Sequence, residues 1–362
     1  MATREGTVRY QQRFGDAFAR TYFRRCGEFS LSSVGIGTYL GPATDAQDER
    51  YREALVTAFE TGCNVVDTAI NYRHQRSERA VGAALHDADV SRDEVFVATK
   101  GGFLPFDGER PDDPGSFVQR EYVASGLVDA DDLAHGSHCI APAFLDDQLD
   151  RSLANLGVER VDCYYVHNPE TQLDVRPREA VYDQLEAAFE VLERRAAAGD
   201  LRYYGVASWD AFRVDPEHEH FLSLPEVVSR ARTAARTVGN ESTHLRCLQL
   251  PFNVSMADAF TREVHEGPTE RQSALWFAHE AGLDVFTSAS LGQGDLADGL
   301  PDDVAAELGG DTSAQRAINF ARSAPGVTTA LVGASSAEHV RENVAAGTFE
   351  PLGANAFDAV FE

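Results

Sequence analysis

Short apolar runs alternate with longer amphipathic stretches along the whole chain. Eight runs read as strands: Ser33–Thr38, Asn64–Asp67, Val95–Thr99, Val161–Val166, Tyr203–Ala207, Leu245–Leu250, Val285–Ser288 and Thr328–Val332. Between them, apolar positions recur at helical spacing over Glu49–Thr61, Ser77–His86, Phe144–Leu156, Ala180–Ala198, Pro225–Thr237, Glu270–Ala281, Ser313–Ser323 and Ala337–Ala346. Several of these stretches stop at a glycine (Gly62, Gly157, Gly199, Gly282), the residue that most easily closes a helix in the left-handed conformation. Strand–helix alternation specifies a parallel sheet with helical crossovers, and eight units point to a closed (β/α)8 TIM barrel. A dinucleotide-binding Rossmann sheet would need GxGxxG between a strand and a helix. The nearest run, Gly35-Ile-Gly37-Thr-Tyr-Leu-Gly41, has the wrong spacing. We expect residues 1–362 to form a single α/β barrel domain, with 1–30 as an N-terminal extension and 103–141 as a loop inserted after the third strand. A second long connection, Leu291–Asp311, follows the seventh strand. Both leave C-terminal strand ends, the face on which such barrels place their chemistry.

Composition narrows the setting. Asp and Glu total 58 against 32 Lys plus Arg, a net charge of −26 spread along the chain rather than gathered in a tail. Such a surface repels nucleic-acid phosphate. It suits the concentrated salt of a halophile, where the Debye length is about 3 Å or less and self-repulsion is screened. No apolar run is long enough to span a membrane. Residues 1–25 lack the apolar core of a secretory signal, so a cytoplasmic location is expected. The five cysteines (Cys26, Cys63, Cys139, Cys163, Cys247) form no CxxC pair and read as reduced core thiols. His135, His138 and Cys139 fall in a Gly-, Ser- and Asp-rich loop, and no metal site is expected there. The sequence is silent on oligomeric state.

Of the 32 basic residues only one is a lysine, Lys100, at the end of the third strand. A chain that otherwise uses arginine keeps lysine where a compact charge with an adjustable pKa has a task. Asp67 ends the second strand, Tyr72 follows five residues later, and His167 ends the fourth strand. Adjacent parallel strands open at one mouth, so the four side chains can meet. Each suits hydride transfer to a carbonyl. The resulting alkoxide needs a proton, which a tyrosine can give if its pKa is lowered from about 10 by a nearby ammonium. An aspartate keeps the lysine charged, and a histidine can polarise the carbonyl.

These residues resemble the aldo-keto reductases. Asp67-Thr68-Ala69-Ile-Asn-Tyr72 followed by Ser77-Glu78 is similar to that family's signature, and Lys100 and His167 match its lysine and histidine in order. The resemblance implies Tyr72 as acid/base, Lys100 and Asp67 as its tuners, and His167 as orienter of the carbonyl. It runs from about Ser30 to Ala346. It implies cofactor contacts at Thr38 on the first strand, at Ser208 and Gln249 on the nicotinamide carboxamide, and at Ser288 beside the ring. Leu291, Gly292 and Gly294 fall in the pyrophosphate loop; Gly333, Ser335, Glu342 and Asn343 fall at the adenosine end. The sequence departs from the family at several places. Trp209 stands where Asn usually follows Ser208. Ser288 replaces the aromatic that stacks on the nicotinamide, for which Phe286 or Trp209 can stand in. Ser335 and His339 replace basic residues that grip a 2′-phosphate, for which Arg341 can compensate. Arg73 replaces the glycine after the tyrosine. The resemblance implies NADP(H) in preference to NAD(H).

The resulting expectation is an oxidoreductase that moves a hydride between NAD(P)H and a small-molecule carbonyl or alcohol. Phe103, Phe106, Phe117 and Tyr122 suggest an aromatic pocket wall, and Arg73 with the acids suggests a sugar or other hydroxylated aldehyde. Two alternatives stand beside it: a Schiff-base lyase or aldolase using Lys100, and a cofactor-binding regulatory subunit of a membrane channel.

Overall fold

The eight apolar runs close into one barrel of parallel strands: β1 (Val34–Gly37), β2 (Val65–Asp67), β3 (Phe96–Gly101), β4 (Val161–His167), β5 (Leu201–Ala207), β6 (Leu245–Pro251), β7 (Asp284–Ser288) and β8 (Val327–Gly333). The computed structural model describes residues 1–361, apart from the side chains of 302 and 303. Glu362, the last residue of the expected domain, lies outside the described residues. β8 pairs with β1 through Ala330–Val34 to Gly333–Gly37 and completes the ring. Every residue of β3 and β4 is buried. This is why these strands read as near-continuous apolar runs rather than as alternation, broken in β4 by the buried Asp162: side chains on one face fill the barrel and those on the other meet the helices.

The outer layer is α1 (Asp45–Glu60), α2 (Arg76–Asp87), α3 (Pro142–Leu156), α4 (Arg178–Ala198), α5 (Leu224–Val238), α6 (Ala274–Ala281), α7 (Ser313–Ser323) and α8 (Ala337–Ala345). One helix is shorter than its pattern predicts. Residues 270–273 are not helical, because Arg271–Gln272 pairs with His265–Glu266 in a two-stranded ribbon. Ser273 then begins α6, its hydroxyl accepting from the Trp276 amide at 3.3 Å. The ladder hydrogen bonds and the cap together outweigh the helical spacing of the apolar positions.

The N-terminal segment seals the barrel floor. A helix, Arg4–Phe14, leads to a hairpin of Phe23–Cys26 against Phe29–Ser32. Cys26, Phe29 and Leu31 of the hairpin pack under Val65, Phe96, Tyr165, Phe286 and Leu331 inside the barrel. Burying an aromatic such as Phe29 contributes roughly 2–3 kcal/mol, and the sealed floor leaves the C-terminal mouth as the open end. There the segment between β3 and α3 forms its own small core of Leu104, Tyr122, Val128, Cys139 and Phe144. It is zipped to the barrel at both ends, Cys139 N–H donating to the Gly102 carbonyl and Leu104 N–H to the Ser137 carbonyl, each at 2.8 Å. Gly102 is required where this loop departs. Its φ is +145°, and a Cβ there would sit 2.8 Å from the His167 carbonyl oxygen. All five cysteines are buried and unpaired.

Candidate active site

The mouth brings the four chemical residues together. Lys100 points up the barrel from β3 and is fully buried. Its Nζ donates to Asp67 Oδ2 at 2.5 Å, to the Thr68 carbonyl at 2.9 Å and to Tyr72 Oη at 3.4 Å. Tyr72 is half-buried, and its ring lies 5.9 Å from that of His167, edge to face. The turn carrying Tyr72 is held by three successive left-handed residues, Arg73, His74 and Gln75, at φ of 48°, 59° and 72°. Such backbone persists only where neighbours fix it. Arg73 bonds the Pro42 carbonyl at 3.0 Å and pairs with Asp48, while Gln75 bonds the Phe106 carbonyl at 2.9 Å.

The electrostatics follow from burial and from the one ammonium. Burial works to lower the pKa of Lys100, but Asp67 and Tyr72 outweigh it, and the amine lies above its ordinary value. Burial raises Tyr72 above the ordinary phenol range and the Lys100 charge only partly opposes this, so the expected lowering is not what the structure shows. Burial, Lys100 and His138 together hold His167 well below the usual imidazole range. His167 is therefore neutral at physiological pH, and its buried Nδ1 has no partner among the described residues.

Above these residues lies a cavity of about 540 Å³. It runs from Asp67, Tyr72 and His167 past Ser208, Gln249 and Ser288, along Leu291, Gln293 and Gly294, to Leu331–Gly333 and Thr38. The backbone is bare where the long end opens: a Cβ at Gly294 or Gly333 would meet nothing within 4 Å. Left-handed Gly292, Gln293 and Gly294 make the tight turn after β7. An elongated trough with polar side chains at one end and bare backbone turns along the other fits a dinucleotide. The Gly292 and Gly294 amides close that turn onto the Ala289 and Leu291 carbonyls at 2.8 and 2.9 Å.

Comparison with known proteins gives the same picture. The Aldo/keto reductase family model matches residues 33–222, more than half of the chain. The chain belongs to that family. It is 24% identical over 343 residues to a Schizosaccharomyces pombe protein named for a voltage-gated potassium channel subunit beta, covering 90% of this chain and 88% of that one. It is also 24% identical over 354 residues to the L-glyceraldehyde 3-phosphate reductase of Escherichia coli O157:H7, covering 91% and 89%. In fold it is similar to an aldo/keto reductase of Klebsiella pneumoniae solved with NADP and acetate (TM-score 0.61, 20% identity, 94% of each chain covered). This aldo-keto reductase is a hydride-transferring oxidoreductase of the nicotinamide-dependent kind.

Several residues of the reductase lie elsewhere than the sequence suggests. Phe286 is buried inside the barrel and stacked on Phe96 at 5.7 Å, so it cannot cover a nicotinamide, whereas Trp209 lines the cavity. Arg73 is engaged with Asp48 and Tyr51 and does not reach the substrate space. Of the four loop aromatics only Phe103 lines the cavity; Phe106, Phe117 and Tyr122 pack on one another within the loop. Gly292, Ser335, Glu342 and Asn343 are not brought onto the cavity wall, and Asn343 is buried in α8. Gln249 lines the cavity and donates through Nε2 to Asp67 Oδ1 at 2.7 Å, a link to the ion pair that its position alone does not reveal.

Other residues of the site carry no local signal at all. Tyr39 stands 58% exposed at the rim with its ring 5.0 Å from Tyr72. His138 is no solvated loop residue: its Nε2 pairs with the His167 carbonyl at 2.8 Å and its Nδ1 with Gln172 at 2.9 Å. No group of three His, Cys, Asp or Glu side chains among the described residues is placed to share a metal. Glu170, three residues past His167, is buried behind Ser208.

Proposed function

We propose that Tyr72 is the proton donor for carbonyl reduction, with Lys100 and Asp67 tuning it and His167 hydrogen-bonding the carbonyl. One observation carries this reading: a buried ammonium, anchored to Asp67, stands 3.4 Å from the phenol oxygen at the floor of the cavity. A reduced nicotinamide, when bound, supplies the hydride. As charge builds on the substrate oxygen, the Tyr72 hydroxyl delivers its proton there, and the Lys100 ammonium stabilises the phenolate left behind. With its pKa above the ordinary phenol value, Tyr72 holds its proton at neutral pH, the state reduction needs. His167, neutral, has a ring N–H to offer the carbonyl. The same groups run alcohol oxidation in reverse. Lys100 is protonated and ion-paired, the opposite of what a Schiff-base nucleophile requires.

The cavity wall holds no arginine or lysine among the described residues, and its mouth is formed by Tyr39, Leu40, Phe103 and Trp209. Asn71, Asn168 and Gln293 add amides. This supports an uncharged substrate with hydroxyl groups, a sugar or other hydroxylated aldehyde. We assign NADP(H) in preference to NAD(H), with exposed Arg341 on α8 as the cation for the 2′-phosphate. The dispersed charge of −26 supports a cytoplasm rich in salt. Arg230 meets four carboxylates (Glu179, Asp183, Glu186, Glu226) and Arg195 meets three, so even the ion-pair clusters are net negative.

The test is NAD(P)H oxidation in molar KCl across neutral, phosphorylated and carboxylated aldehydes, each with both cofactors. Neutral hydroxylated aldehydes with NADPH are expected to turn over fastest, and Arg341→Ala is expected to raise KM for NADPH but not for NADH. The similarity to the fission-yeast channel-subunit protein favours a second reading, a cofactor-binding regulatory role. Tight cofactor binding with negligible turnover on every aldehyde would support that role instead.

A further inference from the structure

On the barrel face opposite the mouth lies a second cavity, of about 440 Å³, and arginines line it. Arg20, Arg24 and Arg25 come from the floor hairpin and the segment leading into it, and Arg322 comes from the end of α7. The chain is strongly acidic, and its arginine Arg230 meets four carboxylates, yet the inner pair here is held by neutral groups. Arg24 donates from Nε to the Thr21 carbonyl at 3.2 Å, from Nη1 to the Val327 carbonyl at 2.7 Å and from Nη2 to the Arg322 carbonyl at 2.6 Å. Arg322 is fully buried. Its Nε donates to the Ser33 hydroxyl at 3.1 Å and its Nη1 to Asn319 Oδ1 at 3.0 Å and the Phe349 carbonyl at 2.8 Å. Its Nη2 has no partner among the described residues.

These bonds explain where the two side chains stand: Arg24 closes the carboxyl end of α7 and joins the hairpin to β8. They do not neutralise the charge. Burial, and then the Arg322 charge, pull Arg24 down to about 9, and burial pulls Arg322 down to about 10, so both remain cations at neutral pH. Buried cations without a counter-charge are costly, and an anion in the cavity would supply one. Donors are spare as well. Of the five N–H groups of a guanidinium, Arg24 uses three and Arg25 uses one, from Nε to the Gly27 carbonyl at 2.8 Å. Arg20 and Arg25 are exposed. Two acids stand nearby: Glu350 accepts from the Arg20 main-chain N–H at 3.4 Å, and Glu28, beside Arg25, is paired with Arg202.

We propose that this cavity binds a small, multiply charged phosphate compound, a phosphate monoester or a diphosphate, on the face remote from the active site. Guanidinium forks match phosphate oxygens two at a time. Phe23, half-buried on the wall, offers an apolar face to the rest of the ligand. A long polyanion such as a nucleic acid would carry its remaining charges onto a surface of net charge −26 and be repelled. A ligand the size of the cavity avoids that repulsion. Arg24 joins the hairpin, α7 and β8, so a bound anion also strengthens the barrel floor.

Inorganic pyrophosphate is the probe, titrated calorimetrically at fixed KCl into protein saturated with NADP+, which keeps the cavity at the mouth filled. One saturable site per chain is expected. Pyrophosphate should also raise Tm beyond the effect of KCl at matched ionic strength. Arg20→Gln/Arg25→Gln removes the two exposed charges and leaves the bonds of Arg24 and Arg322 in place. It should weaken pyrophosphate binding about tenfold or more, while NADP+ binding and carbonyl reduction stay within about twofold of the parent. No saturable heat in the parent would overturn the inference, as would equal affinity in the parent and the double variant. Pyrophosphate binding that NADP+ abolishes would also overturn it, because the anion would then sit in the cofactor cavity. The comparison of parent with double variant stands whether or not NADP+ binds, so its outcome is separate from that of the cofactor reading.

Discussion

Replacing Lys100 by methionine should separate stability from chemistry. The substitution keeps the buried volume but leaves Asp67, 6% exposed, with only the Gln249 amide as a partner. Breaking a buried ion pair from one side costs about 3–5 kcal/mol, because a charge is left uncompensated. The chemical loss has a different origin. An ammonium 3.4 Å from the phenol oxygen favours a full phenolate by about 5 kcal/mol at an effective dielectric of about 20. With roughly half of that charge developed in the transition state, kcat should fall by about a hundredfold. Adding Asp67→Asn removes the stranded carboxylate. Lys100→Met/Asp67→Asn should regain most of the lost stability and none of the lost turnover. Urea unfolding gives the first quantity, and NAD(P)H oxidation at saturating substrate gives the second. A single variant as stable as the parent would refute the buried pair. A double variant that turns over like the parent would refute the role of the ammonium.

Three further outcomes follow from the charges. Burial lowers His138 and His265 to about 4, so each stabilises the fold fully above the ordinary value of 6.5 and loses that contribution as pH falls toward 4. The loss is about 3 kcal/mol per histidine. The urea midpoint should drop steeply over that window and less steeply in His138→Gln, and an unchanged midpoint would contradict the burial. Carbonyl reduction, which needs protonated Tyr72, should hold level from about pH 6 to about pH 9, while alcohol oxidation, which needs the phenolate, rises with pH. A reduction limb falling near neutrality would mean another acid. Raising KCl from about 0.1 M to about 2 M should raise Tm, since screening relieves a net charge of −26 more than it weakens exposed pairs worth under about 1 kcal/mol each. A falling Tm would show the ion pairs to dominate.

The barrel was legible because strands buried on both faces leave a near-continuous apolar signature, as in Cys163–Val166. Asp67, Lys100 and His167 were legible because strand ends fix where such residues stand. What the sequence hid is long-range. Gln249 reaches Asp67 across 182 positions, and Glu170 reaches the turn after Ser208 across 38. Neither contact leaves a local pattern. The direction of the Tyr72 shift is hidden for the same reason: the pairing with Lys100 can be inferred from residue types, but the depth of burial that outweighs it cannot. The floor hairpin has a weak local signal, a short turn at Gly27-Glu28 ahead of the alternating run Phe29–Ser32. The substrate-facing residues, Tyr39 and Trp209 among them, lie in connections whose paths no periodicity fixes.

The central claim is that the Tyr72 hydroxyl supplies the proton, and the most direct measurement compares Tyr72→Phe with the parent in two assays on the same preparation. Removing one hydroxyl should leave NADP+ binding, read by tryptophan quenching, unchanged within about twofold while carbonyl reduction falls by about a thousandfold or more. A Tyr72→Phe protein that binds cofactor and still reduces aldehydes at the parent's rate would show that the proton comes from elsewhere.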